Sequence, residues 1–137
     1  MLKITKTYED WNGMERTEDF YFNLSEAEIT ELQIGTVGGF AETIEKIINA
    51  KDQPELIKIF KDLVLMSYGE KTADGRHFRK NDEVKNGFVD NPAYSIIFME
   101  LVSDAEKAAE FINGIMPKSI DKAELQKKTN ELMAKYN

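Results

Sequence analysis

The residues with chemistry to offer are scattered along the chain, and their spacing argues against most uses of it. His77 is the only histidine, so a histidine pair or a histidine-rich metal site is excluded. It lies within Arg76-His77-Phe78-Arg79-Lys80, the one dense basic run, where an aromatic sits among the charges. Such a run is a candidate contact for nucleic acid or for an acidic partner. Carboxylates come as adjacent couples at Glu9-Asp10, Glu18-Asp19 and Asp82-Glu83. Neighbours on a strand point to opposite faces, and acids at helix starts are explained by capping and the helix dipole. No couple is therefore marked out for acid–base work. Ser25, Ser67, Ser95, Ser103 and Ser119 fall in no nucleophile-elbow pattern, and Gly38-Gly39 lacks the flanking Gly and Lys of a phosphate loop. The expectation is a non-enzymatic protein with no catalytic residues, no cofactor and no metal.

Composition narrows the class further. A chain of 137 residues, 42% hydrophobic and 31% charged, has enough apolar material for one globular domain and too much for a disordered segment. Cysteine is absent, which removes disulfides and thiolate metal sites and fits a reducing cytosol. Lys3 and Lys6 interrupt the start, where a signal peptide needs an apolar core. No apolar run approaches the roughly 18–20 residues of a membrane span. A soluble, cytoplasmic protein is expected, with no membrane partner. The net charge of −7 repels phosphate backbones, so no nucleic-acid partner is expected, and the basic run is better read as a solvated loop or a contact with acidic neighbours in an oligomer.

The elements that position these residues are legible from periodicity. Residues 91–116 form the organising stretch. Asn91 is an N-cap, Pro92 fits the first helical position, and Tyr94, Ile97, Phe98, Leu101, Val102, Ala105, Ala108, Ala109, Ile112 and Ile115 recur at spacings of three and four. This predicts one long helix, stopped by Asn113-Gly114 with a left-handed cap and by Pro117.

Upstream, residues 2–24 predict a β-hairpin around Asn12-Gly13. A three-residue loop, Asn12-Gly13-Met14, pairs Leu2 with Leu24 and Ile4 with Phe22, giving one apolar face, whereas a two-residue turn would split them. Lys3, Thr5, Thr7 and Glu9 then face outward, and Trp11 sits at the tip. Ser25 and Glu28 form a capping box, with Leu24 and Ile29 as its hydrophobic staple. The helix it starts buries Ile29, Leu32 and Ile34, and a second helix carries Phe40, Ile44, Ile47 and Ile48. Pro54 opens a third, with Leu56, Ile59, Phe60, Leu63 and Val64 on its stripe, Ile57, Leu65 and Met66 on other sides, and Gly69 as its end. Residues 69–80 read as a polar loop turning at Asp74-Gly75, and Asn81-Asp82-Glu83 caps a short segment with Val84 and Phe88. The fold class expected is mainly α (α+β), an N-terminal antiparallel β-hairpin followed by a bundle of about five helices. A single domain over residues 1–118, with the hairpin at 2–24 and the helical core at 25–117, precedes a polar, loosely docked segment at 119–137.

Six Met and eight Phe sit largely on helices that are apolar over more than one face. Plain core packing explains most of them. The alternative is an adaptable groove for apolar peptide segments, since Met side chains re-pack around varied partners. The candidate partner-binding residues are Leu65, Met66, Phe98, Met99, Phe111 and Met116.

Three stretches carry a resemblance. Tyr8-Glu9-Asp10-Trp11-Asn12-Gly13 followed by Arg16-Thr17-Glu18-Asp19-Phe20-Tyr21-Phe22-Asn23-Leu24 is the first. Ser67-Tyr68-Gly69-Glu70-Lys71 with Asp74-Gly75 and Phe78 is the second. Phe98-Met99-Glu100-Leu101 through Ala108-Ala109-Glu110-Phe111-Ile112-Asn113-Gly114-Ile115 and Pro117 is the third. Together they resemble tail assembly chaperones of long-tailed phages and prophages of Gram-positive bacteria. The resemblance implies a non-catalytic factor that binds the tape measure protein, recruits the tail tube protein, acts in the bacterial host cytoplasm and is absent from the mature virion. A homo-oligomer would multiply weak sites along one long client. A structural virion or head–tail connector component is the alternative, and a nucleic-acid regulator working through Arg76, Arg79, Lys80 and Lys85 is a third reading.

Overall fold

The computed structural model describes residues 1–35 and 53–117. The expected helix bearing Phe40, Ile44, Ile47 and Ile48, the Gly38-Gly39 pair and the polar segment 119–137 lie outside the described residues, as do the side chains of Leu32, Ile34 and Leu56.

Strand β1 (Leu2–Glu9) turns back into β2 (Glu15–Phe22). Alternation buries Tyr8, Phe20 and Phe22, half-buries Leu2 and Ile4, and leaves Lys3, Thr5, Thr7 and Glu9 exposed, as a half-covered antiparallel sheet requires. The register pairs Leu2 with Phe22 and Ile4 with Phe20, two residues from the expected partners. The loop is three residues long, but it is Trp11-Asn12-Gly13. Gly13 takes φ +79°, the Asp10 N–H donates to Met14 O at 2.8 Å and the Gly13 N–H to Asp10 O at 2.9 Å. This is a type I turn followed by a left-handed residue, and that last position is where Gly belongs. Placing Gly third in the loop shifts the register by two and preserves the apolar face. The Asp10 carboxylate accepts from the Asn12 and Met14 amides and from Arg16 Nε, and the Arg16 bond foremost holds its pKa below the ordinary range.

Helix α1 (Glu26–Gly35) follows through the expected capping box. The Ser25 N–H donates to Glu28 Oε1 at 2.9 Å, and the Glu28 N–H donates to Ser25 Oγ at 3.1 Å. Leu24 and Ile29 are both buried beside it. Helix α2 (Gln53–Ser67) buries Phe60, Leu63 and Val64. It ends at Ser67, whose buried hydroxyl donates to Leu63 O and Val64 O.

The chain then passes straight into β3 (Tyr68–Lys71) and, after a turn, β4 (Phe78–Arg79). The polar loop expected over residues 69–80 is therefore a second hairpin, and among the described residues the sheet has four antiparallel strands in the order β1-β2-β3-β4. Asp74-Gly75 does make the turn, with Gly75 at φ +76°. Gly69 is not a helix stop. It gives room to Phe78, whose ring atoms would lie 2.7 and 2.8 Å from a Cβ there.

Helix α3 (Asp82–Val89) starts on Asn81, whose side chain accepts from the Val84 N–H. Helix α4 (Pro92–Ser103) starts on Asn91, which accepts from the Ala93 N–H at 2.8 Å. The single helix expected over residues 91–116 is two helices, α4 and α5 (Ala105–Ile115), broken at Asp104. Asp104 leaves helical geometry at φ −133°, ψ 107°, and its carboxylate accepts from the Glu106 and Lys107 amides. A short acceptor side chain competes for the backbone at that point and starts a new helix. Nor does Gly114 form a left-handed cap. It lies within α5 where a Cβ would meet Leu2 Cδ1 at 2.9 Å, and the Ile115 carbonyl accepts instead from the Leu24 N–H at 2.8 Å.

Helices and sheet share one core. Phe22 lies edge-on to Phe111 at 5.3 Å and to Phe88 at 5.8 Å, while Leu24, Ile97, Ile112 and Ile115 are sealed around them. Among the described residues the class is α+β, with five helices packed on one another and against the four-stranded antiparallel sheet.

Candidate partner-binding surface

Among the described residues, two of the grooves flank the sheet. The larger, about 490 Å³, lies between β2, β3 and α3. It exists because β3 pairs with β2 only at Tyr21 and Phe22, so the remaining rim of β2 is left facing α3. Its floor is aromatic: Tyr68 stacks on Phe88 at 4.0 Å and 9°, and Phe20 tilts against Phe88 at 5.6 Å. Its rim is acidic, with Glu18, Asp19 and Glu70 against Lys71.

The Tyr8 hydroxyl donates to Glu18 and accepts from Asn91 Nδ2. Burial, then the Glu18 bond, raises the Tyr8 pKa. Burial, then the Glu70 charge, pushes Tyr68 far above its ordinary value. Both phenols therefore stay neutral and serve as hydrogen-bond donors rather than as bases. An aromatic floor under carboxylates suits an amphipathic segment, with apolar atoms against the rings and a Lys or Arg head at the rim. Among the described residues no group of three His, Cys, Asp or Glu side chains is arranged to hold a metal.

The smaller groove, about 180 Å³, runs between β1, α4 and α5 over Leu2, Ile4, Ile97, Leu101 and Phe111. A charged cluster crosses its mouth: Lys6 Nζ lies 2.6 Å from Glu100 Oε2, and Lys107 Nζ lies 3.7 Å from the same oxygen.

The six residues proposed from sequence divide. Leu65 and Met66 on α2 and Phe98 on α4 are half-buried margins packed against the core, and α2 packs against α4. Phe98 stacks on Tyr94 at 5.8 Å. Met99 is 54% exposed. Phe111 and Met116 are buried and offer no surface in this arrangement. Four of the six are thus reachable from outside, three of them only in part.

The basic run is dispersed by the fold. Lys80 Nζ donates to both Glu28 oxygens and to Asn23 O, tying the end of β4 to α1. Lys85 Nζ donates to Leu65 O at 2.7 Å. His77, Arg76 and Arg79 are exposed. Half of the basic set proposed for a nucleic-acid reading is therefore committed to holding elements together.

The larger groove was missed from sequence because it depends on β3, and Tyr68-Gly69-Glu70-Lys71 is too short and polar to announce a strand. Exposed Ile96 and Trp11 were not singled out for binding either. Trp11 is 80% exposed, and its Nε1 donates to Asp90 O at 2.9 Å, pinning the hairpin tip to the α3–α4 junction.

A family model described as phage tail assembly chaperone matches residues 1–136, and the chain belongs to that family. No curated protein and no solved structure matches it.

Proposed function

We propose that this phage tail assembly chaperone holds the apolar helical surface of the tape measure protein until the tail tube protein encloses it. It then leaves, so that it is absent from the mature virion. The reading rests on the family match over residues 1–136. A tape measure helix must keep its apolar seam from water before assembly, and a factor that binds unassembled apolar surface and releases it does this without catalysis. The proposed contact surface is Leu65, Met66, Phe98 and Met99, while Phe111 and Met116, expected with them, are buried in the core. Methionine there suits successive, non-identical stretches of one long client. The work is done in the bacterial host cytoplasm by a homo-oligomer, which raises the effective concentration of weak sites along the client.

The test is co-expression with the tape measure protein encoded beside it. A larger soluble fraction of that protein, and co-purification with it, is the expected result. An unchanged soluble fraction overturns the reading. Mass spectrometry of purified particles separates it from a structural role, because a virion or connector component would be present in stoichiometric amount.

A further inference from the structure

Among the described residues strand β1 is an edge of the sheet, and its register is unbroken. The Asp10 N–H to Met14 O bond closes the hairpin, so by alternation Leu2, Ile4, Lys6 and Tyr8 exchange backbone bonds with β2. Lys3, Thr5, Thr7 and Glu9 then turn their N–H and C=O groups away from it. The side-chain contacts agree. Thr5 Oγ1 donates to Asp19 at 2.6 Å, and the Thr7 and Thr17 hydroxyls meet at 2.8 Å, across the closely spaced, non-hydrogen-bonded positions. Among the described residues no backbone bond reaches this rim.

Edge strands are normally blunted by charged side chains, proline, bulges or shortness, and of these β1 has only the charges, Lys3, Lys6 and Glu9. This one is eight residues long with unbroken register from Leu2 to Glu9 and no proline. Its one inward charge, Lys6, is already neutralised by Glu100 at 2.6 Å.

We infer that β1 pairs with β1 of a second copy of this chain, antiparallel about a two-fold axis at Lys6, with Lys3 set against the partner's Glu9. Charge selects the register. The axis at Lys6 places Thr5 opposite the partner's Thr7 and forms the Lys3 to Glu9 pair twice, once on each side. Moving it to Thr5 sets Lys3 against a threonine, and moving it to Thr7 sets Glu9 against one. Only the first matches opposite charges directly across the strands; it also sets Lys6 beside the partner's Lys6 at the axis, a like-charge contact offset by the Glu100 that each Lys6 already holds at 2.6 Å.

A two-fold axis normal to the sheet keeps both helical layers on one face. Ile96 lies one turn before Glu100 on α4, on the same side of the helix, and Glu100 is bound to Lys6 of β1. Ile96, 38% exposed, therefore flanks the open edge and adds apolar area to the contact. This deepens the homo-oligomer part of the reading above and needs no client.

The test uses the full chain, which has no native cysteine. Lys3→Cys mixed with Glu9→Cys should give an oxidised dimer, while each variant alone should not. In sedimentation equilibrium Lys3→Glu should weaken the dimer about tenfold, since like charges then face each other twice, and Lys3→Glu/Glu9→Lys should restore it. Both positions are exposed, so the variants should fold. A dimer that neither cross-links nor responds to the charge reversal overturns this edge and leaves oligomerisation standing. A monomer throughout overturns both, and neither result touches tape measure binding.

Discussion

Gly69 and Phe78 approach so closely that a methyl group on the glycine would lie 2.7 Å from the ring and 2.9 Å from Arg79 O. The backbone oxygen cannot swing aside as a side-chain tip can. Gly69→Ala should therefore cost about 1–3 kcal/mol through overpacking. Thermal unfolding should show a transition several degrees lower, while Gly87→Ala, facing open space, should not lose stability.

The Glu28–Lys80 pair predicts an acid-sensitive joint. Partial burial alone would raise the Glu28 pKa, but the Lys80 bond, the Ser25 amide and the Lys80 charge outweigh it and pull it below the ordinary range. A depressed carboxyl contributes stability above its unfolded pKa of about 4.3, lost as pH falls through the folded value. Denaturant titrations at stepped pH should show this loss below pH ~4. Glu28→Gln should flatten that limb and cost about 1 kcal/mol or less at pH 7, where the exposed part of the pair is screened.

Asp104 should behave as a cap. Asp104→Ala removes the acceptor for the Glu106 and Lys107 amides and should cost about 1 kcal/mol. Asp104→Ser should recover most of it, as measured by chemical denaturation.

Partner contact and core packing should separate at two apolar positions. Met99→Lys changes a side chain that is 54% exposed and should move stability by no more than about 0.5 kcal/mol. It should lower the soluble tape measure protein recovered on co-expression. Phe111→Lys buries a charge beside Phe22 and should abolish folding, visible as loss of the near-ultraviolet circular dichroism signal.

How much of this was readable beforehand follows from how local each signal is. The Ser25–Glu28 box, the Asn81 and Asn91 caps and the Asp74-Gly75 turn are short-range patterns, and each stands where the residues place it. The inward set of β1 and β2 was legible because parity survives a two-residue slip. Long-range closure was not legible. Nothing within Tyr68–Lys71 reveals that Tyr21 will pair with Gly69, so the two added strands and the groove beside them were missed. The break at Asp104 was masked by an apolar spacing that continues in phase across it. Of the partner-binding set, Met99 was reachable by helical phase, whereas Phe111 looked the same from sequence and is spent against Phe22.

The clasp between Lys6 and Glu100 spans ninety-four positions, and the Leu24 amide waits for the Ile115 carbonyl. During synthesis the first hairpin must leave the ribosome with its greasy side still wet; Tyr68 and Phe88 can cover Phe20 and Phe22 once they emerge, but Leu2 and Leu24 wait for the last described helix. Contacts this distant in sequence also close slowly. A member of a family of assembly chaperones thus has, while nascent, apolar surface of its own to shelter.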